Sequence, residues 1–87
     1  MTGTLAFKLV SPDKVLADMP VRSVQLPASD GDMGVLPDHA PVVTSLRDGT
    51  VTVVGTDGRE LRFAVQGGFV DVTPTTVTLL ADAAQAA

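Results

Sequence analysis

Three carboxylates and the chain's single histidine fall close together, at Asp30, Asp32, Asp38 and His39. Such a group could hold a hard cation through its oxygens, or use the histidine as a general base. The spacing supports neither chemistry. Read as a calcium loop, Asp30 and Asp32 take the first two ligand positions. Gly34 then stands at the third, Val35 at the glycine position and Pro41 at the terminal glutamate position. No serine elbow, thiol or partnered carboxylate motif accompanies His39. The plainer role of Asp30 and Asp32 is turn formation, because short acidic side chains accept hydrogen bonds from nearby backbone amides. His39, held between Pro37 and Pro41, reads as a structural or interface histidine. The chemical alternative is a small hydrolase or metal-binding enzyme built on Asp30, Asp32, Asp38 and His39. It requires those four groups to converge in one pocket.

The remaining motifs carry no chemistry. Gly67-Gly68 is followed by no helical pattern, so it is no dinucleotide fingerprint and reads as backbone geometry. There is no phosphate-binding glycine loop. The chain has no cysteine, which excludes disulfides, thiolate nucleophiles and zinc-thiolate sites. The formal charge is −4, and the six Lys and Arg are scattered. An acidic domain of this kind has no electrostatic basis for binding nucleic acid. No apolar run approaches the ~20 residues of a membrane helix, so no direct membrane insertion is expected. The start of the chain lacks the basic and apolar regions of a signal peptide.

The elements that position these residues read as strands. Leu5, Phe7 and Leu9 alternate with polar or small residues, the period of a strand with one buried face. Ser11-Pro12-Asp13 breaks that run. Val15, Ala17 and Met19 alternate next, followed by Val24 and Leu26 up to Pro27. Ser29 to Pro41 is turn-rich and reads as a shaped loop, the usual carrier of function. Val42 to Leu46 and Val51 to Val54 are further strands. Asp57-Gly58 marks a hairpin, because glycine accepts positive φ. Leu61, Phe63 and Val65 form the apolar face of the returning strand. Phe69 to Val72 and Val77 to Leu80 complete another hairpin around Pro74-Thr75.

One short strand per 8–12 residues is the rhythm of a sandwich or barrel. The expectation is therefore an all-β fold, a small antiparallel β-sandwich of about ten short strands. Residues 1–80 form the domain. Residues 81–87, alanine-rich, read as a tail or the stub of a helical element. With 87 residues and 45% apolar content, the chain suffices for one aliphatic core and is expected to fold alone as a monomer. A soluble acidic sandwich without a catalytic motif favours a binding module over an enzyme.

The run Gly31-Asp32-Met33-Gly34-Val35-Leu36-Pro37-Asp38-His39-Ala40-Pro41 resembles the signature segment of the epsilon subunit of rotary F-type ATP synthases. That family reads glycine, acidic, apolar, glycine, an apolar pair, proline, a small residue, then His-Ala-Pro. Leu9-Val10-Ser11-Pro12 is similar to the family's first strand and turn. Gly67-Gly68-Phe69-Val70-Asp71-Val72 and Val77-Thr78-Leu79-Leu80-Ala81-Asp82 are similar to the end of its sandwich. The resemblance covers nearly the whole chain.

It implies a ten-stranded sandwich at the foot of the central stalk, a rotor part that performs no chemistry and needs no cofactor. The implied partners are the gamma subunit and the polar loops of the c-ring. The implied location is the cytoplasmic face of the bacterial inner membrane. By the same resemblance, Asp32, Gly34, Val35 and His39 would contact the c-ring, while Gly31, Pro37 and Pro41 would shape the segment. Two departures stand out. Asp38 occupies a position where the family commonly has glycine; if that backbone needs positive φ, aspartate is among the few replacements it tolerates. The sequence also ends at Ala87, where the family continues into a helical hairpin. The expectation is a chain that does not inhibit ATP hydrolysis through those helices.

Overall fold

The computed structural model describes residues 3–87. Among them there is no helix, and seven strands carry the fold. They are β1 (Leu5–Val10), β2 (Val15–Ala28), β3 (Gly31–Val35), β4 (Val42–Ser45), β5 (Gly49–Gly55), β6 (Glu60–Val72) and β7 (Thr76–Ala86). All pairings are antiparallel except β1 with β7.

Seven strands serve where about ten short ones are expected because three of them are long. β2, β6 and β7 span 14, 13 and 11 residues. Strict alternation keeps every second residue on one face. In β6, however, Val65 and Val70 are both buried, an odd spacing. In β2 the slip falls between Val21 and Val24, where the pairing with β5 shifts register. In β7 it falls between buried Ala81 and Ala84, which packs against the core. Each long strand thus turns its buried face from one layer to the other. Divided at these slips, the strands form two five-stranded sheets. The first runs β4, second half of β6, first half of β7, β1, first half of β2. The second runs β3, second half of β2, β5, first half of β6, second half of β7. Their inner faces enclose one core. Phe7 from the first sheet meets Phe63 from the second, ring centroids 6.2 Å apart and tilted by 34°, a geometry that adds about 1 kcal/mol beyond burial.

The slip in β6 depends on two glycines. Gly67 and Gly68 have φ of 62° and 116°, a region that side chains rarely adopt. A Cβ on Gly68 would collide with the Leu80 carbonyl oxygen and lie 2.8 Å from the Ala81 Cα. The bend leaves the Gly68 carbonyl pointing away from β7, and the Leu46 amide donates to it at 2.8 Å.

Two expectations change here. The alanine-rich segment is strand rather than tail or helical stub. Residues 83–86 pair with Phe63 to Gln66, and the Ala87 amide donates to the Arg62 carbonyl at 2.9 Å. Backbone pairing with β6 overrides alanine's helix preference, which is worth only a fraction of a kcal/mol per residue, of order 0.5. The expected division at residue 80 therefore falls inside a strand. The turn-rich segment is also more regular than expected. Met33 and Val35 alternate inward opposite Leu26 and Val24, so Gly31–Val35 is strand, leaving the Ser29-Asp30 turn and the stretch 36–41 outside it.

Leu79 is fully buried at the centre of the first sheet. Leu79→Ala should destabilise the domain by about 3 kcal/mol in urea unfolding. Gly68→Ala should lower stability by more than about 2 kcal/mol, because strain and collision add. Gly58→Ala should lower it by only about 1 kcal/mol, since φ is 85° there but space is open.

Candidate interaction edge

The segment Ser29 to Pro41 is assembled by the two outer strands on one side of the sandwich. β3 is the edge of the second sheet, β4 the edge of the first, and residues 36–41 join them. The hairpin between β2 and β3 is anchored at its tip. The Ser29 amide donates to the Ser45 carbonyl at 2.9 Å, and Ala28 bridges to Leu46. Arg47 closes this end. Its amide donates to the Pro27 carbonyl at 2.7 Å, its Nε to the Ala28 carbonyl at 2.6 Å, and its Nη2 to Asp32 Oδ1 at 3.0 Å. Read from sequence, Arg47 looks like a solvated charge. Its position one hairpin away from Asp32 is visible only in three dimensions. The Asp32 side chain remains 82% exposed, so the ion pair orients a group that still faces water. Such a pair is worth well under about 1 kcal/mol. Its effect is to hold a carboxylate in one place.

At the other end, Leu36 to Pro41 turns sharply. Asp38 has φ of 69°, the positive value anticipated from glycine's usual place there. Its amide donates to the Pro74 carbonyl at 2.8 Å, tying the turn to the β6–β7 hairpin. The His39 amide donates to the Leu36 carbonyl at 3.1 Å. His39 Nδ1 lies 2.7 Å from the Ala40 carbonyl oxygen, which can only accept, so Nδ1 is the donor in this contact. Leu36, 62% exposed, sits at the turn and forms a wall of an open cleft with Pro37, Asp38, Arg22 and Thr56. Sequence reading missed Leu36, because its exposure follows from the turn and not from its type.

The expected site residues thus divide. Asp32, Gly34 and His39 lie along the open edge. Val35 does not: it is fully buried opposite Val24, one register position after Gly34, and belongs to the core. Gly31 has φ of 136° and shapes the hairpin. Gly34 has ordinary strand geometry, and a Cβ there would meet only the Gln25 side-chain amide, at 3.3 Å. The fold does not require glycine at this position. A bare backbone on an exposed edge is what a closely approaching partner requires.

The four groups of the chemical alternative do not converge. Asp32 lies near the start of β3, bonded to Arg47, whereas Asp38 and His39 lie in the turn beyond its end, where the Asp38 amide is tied to Pro74. Among the described residues no three of His, Cys, Asp or Glu are placed to hold a metal ion. No buried side-chain polar atom among them is left without a partner. Among the described residues the arrangement offers a preshaped, polar strand edge.

The chain was then compared with known proteins. The family model for the β-sandwich domain of the ATP synthase delta/epsilon chain matches residues 4–87. The ATP synthase epsilon chain of Paracoccus denitrificans is 51% identical over 82 residues, 94% of this chain and 55% of the relative. That of Sinorhizobium fredii is 45% identical over 84 residues, 97% of this chain and 63% of the relative. The chain therefore spans between half and two thirds of the length of these curated relatives. Among solved structures, a chain of the Euglena gracilis mitochondrial ATP synthase superposes with a TM-score of 0.91 at 24% identity, covering 99% of this chain and 55% of that one. A chain of the Tetrahymena thermophila central stalk and c-ring assembly gives 0.73 at 17% identity, covering 97% and 69%. At these identities the structural likeness speaks for the fold, and the fold agrees with the sequence match. Matched from its fourth residue to its last by that domain model, the chain belongs to the ATP synthase delta/epsilon family and forms its β-sandwich domain.

Proposed function

We propose that this chain is a central-stalk rotor component of an ATP synthase, coupling the gamma subunit to the membrane c-ring without catalysing a reaction. The observation that carries the reading is the open edge of β3. It presents Asp32 and Gly34, and the turn that follows it carries His39, residues that match the family's signature, on a backbone held by Arg47 and Pro74. A preshaped edge loses little entropy on binding. In this reading Asp32 meets polar or basic groups of the ring, Gly34 admits a close approach, and His39 offers one further contact. Val35 supports the edge from the core side. We further propose that the assembly stands at the cytoplasmic face of a bacterial inner membrane. No helix among the described residues is long and apolar enough to cross a membrane.

The test is capture of the purified chain by detergent-solubilised c-ring. Asp32→Lys and His39→Glu should each weaken capture roughly tenfold, as charge mismatches at an interface do. Unchanged capture by both variants would remove the assignment. Gly34→Val separates fold from function. Its unfolding free energy should stay within about 1 kcal/mol of the parent, because the only neighbour a Cβ would meet is the end of the exposed Gln25 side chain, which can move aside. Its capture by the ring should fall by a similar tenfold or more. Loss of stability equal to the loss of capture would mean that the glycine is there for the fold alone.

A further inference from the structure

The two sheets end in four edges: β4 and the first half of β2 in the first sheet, β3 and the second half of β7 in the second. An open edge is a template for another strand, and proteins blunt it with charge, proline or shortness. Three of these edges are blunted. β4 is 4 residues long. The first half of β2 carries exposed Asp18 and Pro20. β3 carries Asp32, held by Arg47. The fourth edge, Ala83-Ala84-Gln85-Ala86-Ala87, has no charged side chain and no proline, and all of it is exposed except half-buried Ala84. The nearest carboxylate is turned aside. A Cβ on Gly67 would lie 2.7 Å from Asp82 Oδ2, so the Asp82 side chain folds back over the bend in β6. The ladder determines which backbone groups stay open. The Ala87 amide donates to the Arg62 carbonyl, so by alternation Ala87, Gln85 and Ala83 turn their backbone groups toward β6. Ala84 and Ala86 turn theirs outward. β1 pairs with β7 only as far as Leu80, and among the described residues no other strand covers this edge.

We infer that this edge pairs with the same edge of a second copy of the chain, antiparallel, with Ala84 opposite Ala86 of the second copy and Gln85 opposite Gln85 on the two-fold axis. Three observations favour this occupant. First, the open groups complement themselves. Ala84 and Ala86 are spaced by two, so in this register both pairs exchange their N–H and C=O bonds, and Gln85 falls at the closely spaced, unbonded position between them. A glutamine amide both donates and accepts, so two of them facing each other are satisfied. Second, the pairing sets no like charges together. The chain carries a formal charge of −4, yet this register leaves Asp82 outside the paired stretch, and alanine side chains let the strands approach. Third, the assembly closes. A two-fold contact consumes the open edge of both copies, and the other edges are blunted, so growth stops at two. The paired stretch is short and buries less than the about 800 Å² per partner of a stable interface. The dimer is accordingly weak, with Kd of order 0.1 mM. The monomer expected from composition then holds in dilute solution only. The inference is independent of the rotor reading.

The experiment is sedimentation equilibrium of the purified chain from about 10 μM to about 1 mM, a range that brackets the expected Kd, with thermal unfolding of each variant as the folding control. The parent should pass from monomer to dimer across that range. Ala86→Pro removes an outward amide and leaves the β6 ladder intact. Gln85→Lys sets two ammonium groups directly opposite each other. Both should unfold like the parent and remain monomers at the highest concentration. A second measurement reads the register. The chain has no cysteine, so an introduced one can pair only between copies. Gln85→Cys places two thiols on opposed residues with Cα atoms about 4.5 Å apart, within disulfide reach. It should oxidise to a covalent dimer, whereas Thr52→Cys, on β5 of the same sheet, should not. A parent that stays monomeric throughout overturns the inference. So does a dimer that survives both Ala86→Pro and Gln85→Lys, or one that Thr52→Cys crosslinks as readily as Gln85→Cys.

Discussion

The close passage of β6 over β7 at Gly67 and Gly68 is the constraint on which the rest of the structure depends. The chain has one small core but needs two layers to enclose it. β6 contributes Phe63 and Val65 to one layer and Val70 and Val72 to the other. An alternating strand can do this only if one residue is lost from the alternation. Two glycines at positive φ absorb that residue, and their missing side chains let the Leu80 carbonyl approach. β7 slips at the same level, so the ladder between the two strands continues around the corner from Val72↔Val77 to Phe63↔Ala86. The amide of Leu46 takes the carbonyl that the bend turns outward, which seats the end of β4.

The proposed function rests on where that corner leaves the edges. β3 and β4 come to one side of the sandwich, and the segment between them is stretched along it. Arg47 fixes one end through two backbone carbonyls and Asp32, and Pro74 fixes the other through the Asp38 amide. The edge is therefore polar, exposed and already in shape. Exposed strand edges invite uncontrolled pairing, and charges on them discourage it. Asp32 serves that purpose in the free chain and stays available to a partner. The broad face of the first sheet differs in character, with aliphatic and aromatic side chains left in solvent. One small domain thus presents a polar edge and a row of exposed apolar side chains, in directions set by its two sheets.

Much of this was legible in the residues. Alternation in Leu5 to Leu9, in Phe63 and Val65, and in Val77 to Ala81 identified faces that are buried in the structure, while Leu61, expected on the same face as Phe63, is exposed. Asp57-Gly58 marked its hairpin, closed by the Gly55 amide on the Arg59 carbonyl at 2.8 Å. The count of about ten strands matches the ten segments that remain when the long strands are divided at their slips. The signature residues pointed to the family and to the need for positive φ at residue 38, which Asp38 meets. The assignment of Asp32, Gly34 and His39 to the proposed site comes from their type and order in the sequence.

What the sequence determined alone was local: which residues alternate, which turns accept positive φ, which chemistries lack their groups. Tertiary structure decided the rest. Val35 left the interface for the core because β3 pairs with β2 in the register that puts it opposite Val24. Ala83 to Ala86 became strand because β6 lies alongside, outweighing alanine's helix preference. Arg47 reached Asp32, and Phe69, Leu80, Val10 and Val15 formed a row, through pairings between residues far apart in the chain. Alternation depends on neighbours one and two residues away and can be read from a string. Register depends on which strand lies beside which, and that is settled only when the whole core closes.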